Sequence, residues 1–108
     1  MAQTITTSPG DGVSRVATAS YLDTGTVAAY TFTIGFTPKY VRFTNETSRD
    51  MLEWYEGMAA ASAIKTVADG TRTTISSLGI TVDGNQVTLG LDTDVNVTSE
   101  QVRALFIG

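Results

Sequence analysis

The stretch Ile80-Thr81-Val82-Asp83-Gly84-Asn85-Gln86-Val87-Thr88-Leu89 decides the fold. Apolar and polar residues alternate on both sides of an Asp-Gly-Asn turn, the pattern of two half-buried strands joined by a tight connection. It predicts an antiparallel hairpin that sets Ile80 and Val82 against Val87 and Leu89.

Further strands are read outward from this hairpin. Thr71 to Ser77 is a strand, broken by a bend at Leu78-Gly79 before Ile80. After the polar loop Gly90-Leu91-Asp92-Thr93-Asp94, the short run Val95-Asn96-Val97 pairs before Ser99-Glu100 turns into a last strand, Gln101 to Ile107. Upstream, Val27 to Ile34 places Ala28, Tyr30, Phe32 and Ile34 on one period-two face and Ala29, Thr31 and Thr33 on the other. A first strand covers Val13 to Ser20. Pro38 cannot donate to a ladder, so the chain turns near Gly35-Phe36-Thr37-Pro38, and Phe36 covers a sheet end. Tyr40 to Phe43 and Met51 to Glu56 then form a hairpin, with Leu52 and Trp54 on one side and Met51, Glu53 and Tyr55 on the other. A competing pattern makes Ser48 an N-cap and runs a helix through Met51, Leu52, Tyr55, Met58 and Ala59, but Gly57 interrupts it. The alanine-rich segment Met58 to Ile64 reads as a loop or short helix.

Composition supports the strands. Nineteen threonines and ten valines favour a pleated, half-buried surface in a chain of 108 residues. That length allows one domain with one modest core. The expected fold is all-β, a compact antiparallel β-sandwich or partly open β-barrel over residues 13–108. Residues 1–12, broken by Pro9, Gly10 and Gly12, are expected to form a flexible or partner-ordered arm. They contain no basic and apolar signal pattern, and no run in the chain approaches the roughly 20 apolar residues of a membrane helix.

The chain has no cysteine and no histidine. Disulfides, thiolate nucleophiles, thiolate or imidazole metal ligands and imidazole acid-base catalysis are thereby excluded. Seven Lys plus Arg against eleven Asp plus Glu give a net charge of −4, the wrong sign for a nonspecific grip on nucleic acid.

Each remaining cluster has a plainer reading beside the chemical one. Asp92, Asp94, Asn96 and Glu100 offer alternating oxygens that would suit calcium, but they lack the glycine and terminal glutamate of an EF-hand and read as a solvated loop. Glu53 and Glu56 would be the acid and base of a glycosidase only within a deep cleft, so they read as exposed charges flanking an apolar strand. Serine and threonine hydroxyls lack an activating base, since Lys39 and Lys65 stand in no catalytic spacing with a serine. Arg42, Arg49, Lys65 and Arg72 do not form a phosphate-tracking run, and Tyr40, Trp54 and Tyr55 serve core packing as readily as a sugar platform. Asn45-Glu46-Thr47 and Asn96-Val97-Thr98 match glycosylation acceptors, without a secretory segment to expose them to modification. No catalytic, cofactor-binding or metal residue is assigned, and no enzyme is expected.

Three segments, GFTPKYVRFTNETSRDMLEWYEGM at 35–58, AIKTVADGTRTTI at 63–75 and the terminal SEQVRALFIG, together resemble small β-rich virion proteins of tailed bacteriophages. The resemblance spans most of residues 26–108. It implies a structural component without catalytic residues, a capsid decoration protein on the outer head surface, made in the host cytoplasm during assembly. The implied partners are the major capsid protein and sister subunits, with neither nucleic acid nor membrane contacted directly. A homotrimer suits threefold capsid junctions; a monomer or dimer fits the same strand pattern. A tail or tail-fibre-associated β domain that binds carbohydrate or a host surface is the alternative.

Overall fold

In the computed structural model, which describes residues 15–22 and 24–108, every regular element is a strand. They are β1 (Val16–Leu22), β2 (Tyr30–Thr33), β3 (Tyr40–Asn45), β4 (Met51–Tyr55), β5 (Ser62–Thr66), β6 (Arg72–Asp83), β7 (Gln86–Leu89) and β8 (Gln101–Ile107). The arm expected over residues 1–12 and the first two residues of the strand expected from Val13 lie outside the described residues.

All eight strands join one antiparallel sheet in the order β1-β8-β3-β4-β5-β6-β7-β2, curled into a half-barrel. The all-β class read from the sequence is therefore the observed one. The deciding hairpin has the predicted register, with Ile80 opposite Leu89 and Val82 opposite Val87. Gly84 takes the positive φ of 61° that its tight turn requires.

Alternation fills the interior. Val41 and Phe43 of β3, Leu52 and Trp54 of β4, and Val102 and Phe106 of β8 are buried from one half of the sheet. Ile80, Val87 and Leu89 meet them from the other half. Phe32 of β2 spans the gap, with ring centroids 5.6 Å from Phe43 and 6.0 Å from Phe106, distances at which aromatic pairs attract. Trp54 is the expected core anchor, although its indole Nε1 finds no hydrogen-bond partner.

Three local expectations are corrected. The alanine-rich segment forms neither loop nor helix from Ser62 onward but the central strand β5, paired with β4 and β6. Residues Arg72–Ser77 and Ile80–Val82 belong to one twelve-residue strand, β6 (Arg72–Asp83), with Thr71 just before it. The bend expected at Leu78-Gly79 is a bulge where the register to β5 jumps from Ala63↔Ile75 to Ser62↔Ile80 and Leu78 takes a φ of 61°. Val95 to Val97 is turn and loop, not strand. Val95 is fully buried there, its backbone held by the side chains of Asp92 and Asn45 instead of a ladder.

Candidate functional site

The polar residues sort into an inner set that builds the fold and an outer set available to a partner. The inner set lies around the loop between β7 and β8. Asp92, only 5% exposed, accepts the backbone N–H groups of Asp94 and Val95 on Oδ1, at 3.0 and 3.1 Å. Its Oδ2 lies 3.1 Å from Lys65 Nζ, which also contacts Asp94. Burial alone would lower the Lys65 ammonium; hydrogen bonds and charge from Asp94 and Asp92 outweigh it and hold the group above the ordinary lysine value. Asn96 donates to the carbonyls of Ala28 and Gly90 and accepts the Tyr21 hydroxyl at 2.8 Å.

The solvated-loop reading of Asp92 to Glu100 is thus overturned. Asp92 and Asn96 are buried, and Glu100 accepts from the Asn45 amide. Among the described residues, no three carboxylates gather where a metal ion would sit. The sequon asparagines, Asn45 and Asn96, are both buried and hydrogen-bonded, so in the folded chain neither amide is open to modification.

Strand pairing sets the outer face. On the half formed by β1, β8, β3 and β4, register places Val16, Ile107, Tyr40 and Tyr55 in one row across four strands. Val16, Ile107 and Tyr55 are exposed, and the Tyr40 and Tyr55 rings pack with centroids 5.1 Å apart, tilted by 59°. The next row is Thr18, Leu105, Arg42 and Glu53, and the third is Ser20, Arg103, Thr44 and Met51. Between the second and third rows lies a surface groove of about 560 Å³ lined by Thr18, Ser20, Arg42, Thr44, Arg103 and Leu105. Arg103 reaches Glu46 at 3.3 Å at the rim, where both side chains are more than half exposed, so this pair holds the guanidinium only weakly. No ion pair occupies Arg42 among the described residues. The groove therefore offers two guanidinium groups and three hydroxyls to extended polar or anionic groups.

Glu53 is not the exposed charge expected from the sequence. It is 9% exposed, with Oε2 accepting the Tyr40 hydroxyl at 2.6 Å and Oε1 facing Arg72 Nη2 at 3.2 Å. Glu56 lies beyond the end of β4 in a turn and is exposed. Both Glu53 oxygens are thus engaged by partners within the fold.

Burial, then the hydrogen bond to Glu53 and its negative charge, push the Tyr40 hydroxyl up to about 12. In the unfolded chain a tyrosine ionises near 10. The raised folded value means that the Tyr40 contribution to stability is complete below pH about 10 and is lost as pH rises toward about 12. An absorbance titration at the tyrosinate band should show a late component near 12 that is missing in Tyr40→Phe. A titration in which all tyrosines ionise together below 11, about one unit under that value, would refute the assignment.

The basic residues separate in space. Arg42 and Arg72 lie on the outer face, Lys65 points inward, and Arg49 sits exposed in the β3–β4 turn. The aromatics divide likewise, with Trp54 in the core and Tyr40 and Tyr55 outside. Compared with known proteins, the chain matches no family model, no curated protein and no solved structure.

Proposed function

We propose that this chain is a structural protein of a tailed-bacteriophage virion, a non-enzymatic capsid decoration protein that stabilises the head by noncovalent contacts. The observation that carries the reading is the outer face of β1, β8, β3 and β4, where an apolar row from Val16 to Tyr55 borders the Arg42–Arg103 groove. A drier row beside hydrogen-bonding and cationic groups is the composition of an interface with a protein surface. Nearby, Glu53 is neutralised by Arg72, and the inner carboxylates serve Lys65 and loop N–H groups, so polar side chains hold structure. The resemblance to small β-rich virion proteins points the same way.

Repetition supplies the strength that one small face lacks. A weak contact made by every copy on a shell accumulates through multivalency, and the partners on offer are the major capsid protein and sister subunits. Cryo-electron microscopy of intact particles tests this. The eight-stranded half-barrel should appear as density at repeated sites on the outer head lattice, with the groove face toward the shell. Its absence from heads, together with retention in purified tail fractions, would overturn the decoration reading in favour of a tail component.

A further inference from the structure

We propose that β1 is a self-pairing edge, and that two copies of this chain join antiparallel through it about a twofold axis at Ala19. The inference does not rest on the virion reading. Among the described residues the half-barrel leaves two edges, β1 and β2. β2 is four residues long, whereas β1 runs for seven, Val-Ala-Thr-Ala-Ser-Tyr-Leu, with neither a charge nor a proline. Soluble proteins ordinarily blunt an open edge with charges, proline, bulges or shortness, and β1 has none of these.

The ladder shows which groups are open. Gly108 N–H donates to the Arg15 carbonyl at 2.8 Å, on the β8 side of β1, while Ile107 turns its carbonyl the other way to Lys39. With Val16 opposite Ile107 and Ala17 opposite Phe106, the odd-numbered residues of β1 bond to β8. Val16, Thr18, Ser20 and Leu22 therefore aim their N–H and C=O groups at the free edge. Pairing centred on Ala19 sets Val16 against Leu22 of the second copy and Thr18 against Ser20. Every outward residue then falls in a hydrogen-bonded pair.

The side chains agree with this register. Val16 is 58% exposed and Leu22 50%, and each would cover the other at the two ends of the seam. Hydroxyls of Thr18 and Ser20 meet at its centre. A slip of one residue would set the open groups against groups already bonded to β8, and a slip of two would leave Val16 or Leu22 uncovered. The register centred on Ala19 is the one that satisfies both constraints.

The chain has no cysteine, so a single introduced one reports the register. Ala19 would face its own symmetry mate in a non-hydrogen-bonded pair with Cα atoms about 4.5 Å apart, within disulfide reach. Ala17 would lie about 13 Å from its mate, out of reach. Ala19→Cys should form a covalent dimer on mild oxidation at least about ten times faster than Ala17→Cys, given that difference in reach. In light scattering the parent chain should show a concentration-dependent dimer. Thr18→Pro removes only an outward N–H and should shift that dimer to monomer with unchanged circular dichroism; Ser20→Lys, an edge charge that takes no hydrogen bond from β8, should do the same. A parent chain that stays monomeric at the highest attainable concentration, a dimer unmoved by both substitutions, or equal crosslinking at positions 17 and 19 would overturn the proposal.

Discussion

Gly90→Ala is expected to lower stability by about 3 kcal/mol or more, a large part of the total for a domain of this size. The reason is contact with backbone that cannot swing aside. A Cβ on Gly90 would stand 2.7 Å from the Leu78 carbonyl oxygen and 2.8 Å from its carbon. Gly90 also donates its N–H to the Gly79 carbonyl at 2.9 Å, so moving away breaks a hydrogen bond. Gly79 is as tightly held, since its own Cβ would come within 2.8 Å of the carbonyl oxygens of Ala61 and Ser62. Here the bulge of β6 lies between the start of β5 and the end of β7, and three backbones approach closer than any side chain permits. At about 4 to 8 °C per kcal/mol, the melting temperature should fall by more than about 12 °C. Gly35→Ala is the comparison, because nothing lies within 4 Å of its Cβ and only its φ of 84° is strained. It should lose about 1 kcal/mol, the usual cost of a left-handed non-glycine residue. Thermal melts of both variants decide the matter, and a Gly90→Ala loss no larger than that of Gly35→Ala would show that the backbones yield.

This crossing explains what was legible in the sequence and what was not. Strands whose apolar residues alternate could be read directly, as in the 80–89 hairpin and in Leu52 and Trp54 of β4. β5 could not. Its inward positions are Ala63 and Lys65, one too small to mark a core and the other a cation, so period-two reading finds no buried face. Lys65 points inward only because Asp92 and Asp94, from a loop nearly thirty residues on, meet it there. Val95 to Val97 failed the opposite way, its β-branched residues suggesting a strand that the loop's side-chain hydrogen bonds replace. A glycine at 79 was visible as a break, but not that carbonyls crowd it.

The outer groove was still less legible. Its residues come from β1, β3 and β8, strands far apart in the chain that become neighbours only through the order β1-β8-β3. Arg42 was noted among the basic residues, but Thr18, Ser20, Thr44 and Arg103 carry no motif. Register, not composition, brings them together. The buried role of Glu53 was hidden for a similar reason, since Tyr40 and Arg72 are cross-sheet partners rather than sequence neighbours.

Asn45→Ala is expected to cost about 3 kcal/mol, because one side chain holds two separate pieces of backbone and each buried group left without a partner costs about 1 to 3 kcal/mol. Asn45 is fully buried at the end of β3. Its Oδ1 accepts the N–H groups of Thr47 and Ser48, both at 2.9 Å, closing the turn into β4. Its Nδ2 donates to Glu100 Oε1 at 2.7 Å and to the carbonyls of Val95 and Asp94 at 3.1 and 3.3 Å, which pins the β7–β8 loop over the core. Alanine removes both connections. Asn45→Asp separates them, since a carboxylate keeps the acceptor for the turn but turns a second acceptor toward the Glu100 carboxylate and two carbonyls. That variant should be destabilised at neutral pH and recover partly as pH falls and its carboxyl gains a proton to donate. Asn45→Ala, with nothing to protonate at position 45, should lack that recovery. Urea denaturation of both variants across pH 4 to 7, a range of about three units spanning ordinary carboxyl titration, reads these differences. Hydrogen exchange should show faster exchange at the Val95 amide in Asn45→Ala, because the loop's tie to β3 is gone. A loss below about 1 kcal/mol for Asn45→Ala, with that amide still protected, would mean that Asp92 and Asn96 hold the loop without it.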